Sequence, residues 1–152
     1  MEVFAAALEG FALAEWLRYS RWIYALVSAT HLLGISLLLG TAVVLDLRLL
    51  GLGRSIDLGQ FYRVVAPVSA IGLGVAIATG MLLFIVRATE YVLLELFFFK
   101  MLLVVTGAAL AAWIHFGLDI EGMSRGRQRL CGGLSLLIWL SVLVCGRMLA
   151  FV

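Results

Sequence analysis

Charge is scarce in this sequence. Only 13% of its 152 residues are Asp, Glu, Lys or Arg, while 64% are hydrophobic. A soluble domain carries about 25% charged residues, and a chain of 16.6 kDa could not cover a water-facing surface with so few. That excludes a soluble fold. Proline occurs once, which excludes a collagen-like or linker-rich chain. The polar composition of a disordered segment is missing as well. The net charge of +2 gives no basic excess that would imply nucleic acid as a partner. The two cysteines, Cys131 and Cys145, fall on one helical stretch about 21 Å apart. They are too distant for a disulfide with each other and read as small buried apolar residues. There is no C-x-x-C, no haem-attachment C-x-x-C-H, no P-loop, no dinucleotide fingerprint and no nucleophile elbow. An integral membrane protein is the class that remains.

What the sequence does have is apolar length. Stretches at 22–45, 64–86, 92–118 and 130–152 each approach or exceed the roughly 20 residues a helix needs to cross a hydrocarbon core. Runs such as Met101–Val105 are unbroken rather than alternating, which excludes outer-membrane strands. The fold class predicted is all-α, an integral membrane four-helix bundle over residues 22–152, preceded by an interfacial helix within residues 1–21. Trp16, Tyr19, Trp22 and Tyr24 suit an aromatic belt at the membrane edge. Arg48, Arg54, Arg63, Arg125, Arg127 and Arg129 flank the loops after the first and third spans. This places those loops in the cytoplasm and both termini in the periplasm of a bacterial inner membrane. In the second span Gly72, Ala76 and Gly80 recur at four-residue spacing, which suits close helix contact within a bundle or across a homodimer seam.

Ionisable groups inside a membrane are costly, so each is a candidate functional residue. His31, Lys100 and Arg147 come from three spans and fall toward one leaflet. Asp46 and His115 fall toward the other, each fifteen residues beyond His31 and Lys100 respectively. Fifteen residues rotate a helix by only about 60°, so Lys100, Gly107, Ala111 and His115 are expected on one inward stripe. Asp46 is expected near His115. His31 and His115 differ in depth by roughly 15–20 Å, which disfavours a single haem held between them. The cofactor-binding candidates are His31, Lys100, Arg147 and His115. For a haem, His31 with a second ligand from its own leaflet fits better, and Lys100 or a Met is the candidate for that ligand. Met81, Met101 and Met148 lie in the His31 leaflet, and with His31 they form an alternative copper-binding set.

The runs His31-Leu-Leu-Gly-Ile and Asp46-Leu-Arg-Leu-Leu-Gly-Leu-Gly, with Phe99-Lys100-Met-Leu and Gly146-Arg147, resemble a bacterial inner-membrane family of unknown function. More distantly the layout is similar to HemJ-type protoporphyrinogen oxidases and to the membrane domain of CopD-type copper-resistance proteins. The HemJ-like features are His31 in the first helix, Tyr62-Arg63 leading into a helix with Pro67, and Lys100 opening the third helix. That resemblance implies haem at His31. The expected function is haem-linked electron transfer or membrane redox chemistry. The alternatives are a non-enzymatic subunit or assembly factor of a larger membrane complex, and copper handling. The lipid bilayer is the surrounding partner in every case. Nothing in the residues decides between an enzyme and a binding protein.

Overall fold

The computed structural model describes residues 2–117, 119–120, 122–149 and 151. Leu118, Ala150 and Val152, where the third and fourth apolar stretches were expected to end, lie outside the described residues. The chain is all-helical among those residues: α1 (Glu2–Glu9), α2 (Ala12–Tyr19), α3 (Arg21–Leu50), α4 (Leu58–Val86), α5 (Ala88–Tyr91), α6 (Glu95–Gly117) and α7 (Arg125–Met148). Four of these, α3, α4, α6 and α7, are long and apolar enough to cross a membrane. The protein is an all-α membrane bundle.

At the loops that join α3 to α4 and α6 to α7, α3, α4 and α7 extend beyond their apolar stretches, whereas α6 starts three residues inside its own; hydropathy marks only the hydrocarbon and capping marks the helix. α3 continues past Asp46 and Arg48 to Gly51, whose φ of 115° is left-handed, and the Gly51 and Leu52 amides both bond back to the Leu47 carbonyl. This is a glycine-terminated helix end. α4 begins six residues before the apolar stretch, at Leu58, because the Asp57 carboxylate caps it by accepting from the Gln60 amide at 2.8 Å. α7 likewise takes in the polar run Arg125–Arg129. At 30 residues, α3 is about 45 Å long and reaches through the headgroup regions on both sides.

In space the order is α4, α3, α7, α6. α3 packs along α4 and α7, and α7 along α6, whereas the α4 and α6 backbones have no close packing. Side chains bridge these two at their ends. Tyr62 hydrogen-bonds His115 at one end, and Phe84 stacks on Phe97 at the other with ring centroids 5.2 Å apart.

The tightest seam is α3 on α4. A Cβ on Gly34 would stand 2.7 Å from the Ala76 amide nitrogen, and one on Gly72 would stand 2.6 Å from the Leu38 amide nitrogen. The small-residue face of α4 expected from Gly72 and Ala76 is thus the α3 seam. The interleaved Ala70, Gly74 and Ala78 face outward. On α6, Gly107 is buried against Ile138 and Trp139 of α7.

The first 20 residues form two helices rather than one, and they dock on the bundle. Ala5, Ala14 and Leu17 are buried. Glu9 accepts from the Thr89 hydroxyl at 2.6 Å and the Thr89 amide at 2.8 Å, and it pairs with Arg18 at 3.8 Å. Arg18 in turn donates to the Val86 carbonyl at the end of α4, at 2.9 Å. The Thr89 hydroxyl, then its amide, and the Arg18 charge hold the Glu9 carboxyl below its ordinary range. Because the docked-state value is depressed, the contribution is complete at neutral pH and is lost as pH falls below the ordinary carboxylate range. The protection factors of the amides across residues 3–19, measured against the intrinsic exchange rate at each pH, should therefore fall on acidification, while α3 and α4 stay protected. Glu9→Gln should show the same low protection already at neutral pH, and protection equal to wild type in the variant would contradict the docking role of Glu9.

Candidate functional site

His31 lies ten residues into α3 on the face that meets α4. Its ring rests on Gly80: a Cβ there would stand 3.0 Å from the imidazole Cε1, so a larger residue would push the ring aside by a few tenths of an ångström. Its Nδ1 is 3.0 Å from the Thr79 hydroxyl oxygen, and that hydroxyl lies 2.6 Å from the Val75 carbonyl one turn back along α4. With the hydroxyl hydrogen on the Val75 carbonyl, the Thr79 oxygen can accept from an Nδ1–H of His31, the tautomer in which Nε2 keeps its lone pair. Thr79 is 9% exposed, so this orientation is set inside the protein. A histidine whose far nitrogen is tied by a hydrogen bond is the arrangement found at metal-ligating imidazoles.

Lys100 lies one turn into α6, toward the same end of the bundle as His31. Its stem runs to α7, where Cε and Nζ both lie 3.6 Å from the position a Cβ on Gly146 would occupy. Cys145 is buried beside it. The ammonium makes no hydrogen bond or ion pair among the described residues. His31 of α3 thus lies against Thr79 and Gly80 of α4, and Lys100 of α6 against Cys145 and Gly146 of α7, at the same end of the bundle.

Arg147 does not join this pair. It is one position beyond Gly146, so about 100° of helix rotation turns it away. It is exposed, with its guanidinium carbon 4.5 Å above the Phe151 ring. Nor does His115. The residual rotation along α6 accumulates after Gly107, leaving Ala111 and His115 exposed rather than on an inward stripe. His115 Nδ1 lies 3.0 Å from the Tyr62 hydroxyl, and its ring meets Phe116 edge-on. Tyr62 and Thr79 are seventeen residues apart on α4, about 25 Å. The two histidines therefore sit at opposite ends of the bundle. Asp46 is not beside His115 either. It is 2% exposed, next to Ser135 of α7, and Oδ2 has no hydrogen-bond partner among the described residues.

The copper set is also dispersed. Met81 and Met148 are 64% and 52% exposed on the outer surface, and only Met101 is partly buried. No group of three or more His, Cys, Asp or Glu gathers at metal-binding distance among the described residues.

Thr79, Gly80 and Cys145 were not picked out as site residues from the sequence. Thr79 and Gly80 sit on the small-residue face of α4, where a hydroxyl beside a glycine facing a histidine was the available signal. No family model, no curated protein and no solved structure matches the chain.

Proposed function

We propose that this protein binds a b-type haem within a bacterial inner membrane through His31, and that it serves electron transfer or membrane redox chemistry. The observation that carries this reading is the pairing of His31 Nδ1 with the Thr79 hydroxyl, which also bonds the Val75 carbonyl. The tautomer that this pairing favours leaves Nε2 free to ligate, at a depth where a histidine without a role would be costly. The donor chemistry fits a haem iron, for which a neutral imidazole nitrogen is a common axial ligand. A bound haem would supply one-electron redox chemistry. In this chain, His31 would hold the iron and Thr79 would fix the ring. Lys100, a cation with no hydrogen-bond or ion-pair partner among the described residues, would bind a carboxylate of the porphyrin. Arg147 and His115 have no part in the site. The excess of arginine at the opposite end favours a periplasmic location for the His31 end.

Thr79→Val keeps the shape of the side chain and removes the acceptor, which frees the imidazole to rotate and to exchange tautomers. Loss of such a supporting hydrogen bond costs about 10–100-fold in affinity. Titration of detergent-solubilised protein with haem should show that loss for Thr79→Val and recovery for Thr79→Ser. Equal affinity in all three proteins would overturn the role assigned to Thr79.

A further inference from the structure

At the end of the bundle away from His31, where α3 stops and α4 and α7 begin, lies a pocket of about 600 Å³, a volume typical of small-ligand sites. Four arginines line it, Arg48 from α3, Arg54 from the α3–α4 turn, and Arg125 and Arg129 from the first turns of α7, with Ser55 and Gln128 between them. Asp57 is the carboxylate at its wall, and one of its oxygens is committed to the Gln60 amide as the cap of α4. Four guanidiniums thus face one carboxylate. The ion pairs among the described residues, Arg18–Glu9 and Arg87–Glu90, lie at the other end of the molecule.

These arginines are positioned rather than merely nearby. Arg48 donates through Nε and Nη2 to the Ile56 carbonyl at 3.1 and 2.6 Å, which folds the turn over the end of α3 and leaves its remaining N–H groups free. Arg54 lies back over Gly51, where a Cβ would come within 2.7 Å of its Nη2, so the left-handed glycine that ends α3 also makes room for this guanidinium. Gln128 is fixed by bonds to the Ile120 and Met123 carbonyls, both 3.2 Å. Four like charges beside the single carboxylate among the described lining residues repel one another, and the planar fork of arginine matches the oxygens of a phosphate. Because the pocket sits at the ends of membrane-crossing helices, it stands at the depth of lipid headgroups. We propose that it is a binding site for a phosphate oxyanion, presented by an anionic phospholipid headgroup or by a free phosphate compound.

Delipidated full-length protein in a neutral detergent tests this by thermal unfolding. The arms are phosphatidylglycerol, phosphatidylcholine and inorganic phosphate. Stabilisation by phosphatidylglycerol but not by phosphatidylcholine is expected if the source is a lipid. Stabilisation by inorganic phosphate alone would identify the free anion instead. In either case Arg54→Gln and Arg129→Gln should each weaken binding about tenfold or more. Arg63→Gln and Arg127→Gln, which change the same face outside the pocket, should leave binding unchanged. Arg54→Lys, which retains the charge but loses the fork, should fall between wild type and Arg54→Gln. No shift in any arm, or an equal loss from the pocket and control variants, would overturn the proposal. The single variants are read separately, so failure of one to fold leaves the other to decide.

Discussion

Gly72→Ala should lower the stability of the detergent-solubilised protein by about 1–3 kcal/mol, the range found for overpacking a tight core, and Gly72→Leu should prevent α3 and α4 from pairing. The obstacle on each side is backbone. A Cβ at Gly72 would meet the Leu38 amide nitrogen at 2.6 Å and the Gly34 carbonyl oxygen at 2.9 Å, and neither can rotate aside. Helices in lipid are held together by close packing rather than by a hydrophobic drive, so separating these backbones removes the main contact of the fold. Gly74→Ala provides the comparison on the same helix, since a Cβ there meets nothing within 4 Å. It should leave the melting temperature unchanged or raise it slightly, because alanine favours a helix over glycine. Equal melting temperatures for Gly72→Ala and Gly74→Ala would contradict the α3–α4 seam. The same separation would carry Thr79 and Gly80 away from His31, so a damaged seam should also weaken haem binding.

His31→Ala should abolish haem binding, a larger loss than the roughly 10–100-fold expected for a supporting residue. The substitution removes the axial nitrogen and opens a space the size of an imidazole beside Gly80, while the α3–α4 contact at Gly34 and Gly72 is untouched. Added imidazole should therefore restore the haem spectrum in His31→Ala, an outcome that a merely structural histidine would not give. His115→Ala should bind haem as wild type does, because His115 is exposed and bonded to Tyr62 at the far end. Loss of haem from His115→Ala but not from His31→Ala would reverse the assignment.

The membrane class, the four crossing helices and the close face of α4 were legible in the sequence because each rests on composition or on a fixed spacing. The 13% charged fraction allows no other class, and a glycine–alanine row at four-residue spacing makes one face whatever it meets. Helix ends were less legible. Gly51 and Asp57 set them, and these caps lie beyond the apolar runs. The site was legible by depth but not by direction. Counting residues placed His31, Lys100 and Arg147 in one leaflet, and all three lie at that end. Which of them meet depends on helix rotation: Gly146 faces Lys100, and its neighbour Arg147 faces outward. The proximity expected of Asp46 and His115 failed for the same reason, since equal depth left the facing helix undetermined. Thr79 was hidden because its role arises only when α3 and α4 are docked.

The optical spectrum of the protein, extracted in mild detergent after expression with haem available and recorded before and after reduction, tests the central claim most directly. The predicted result is a Soret band that shifts and sharpens on reduction, absent from His31→Ala and restored there by imidazole. A protein without a Soret band even after haem is added, or a full band in His31→Ala without imidazole, would contradict it.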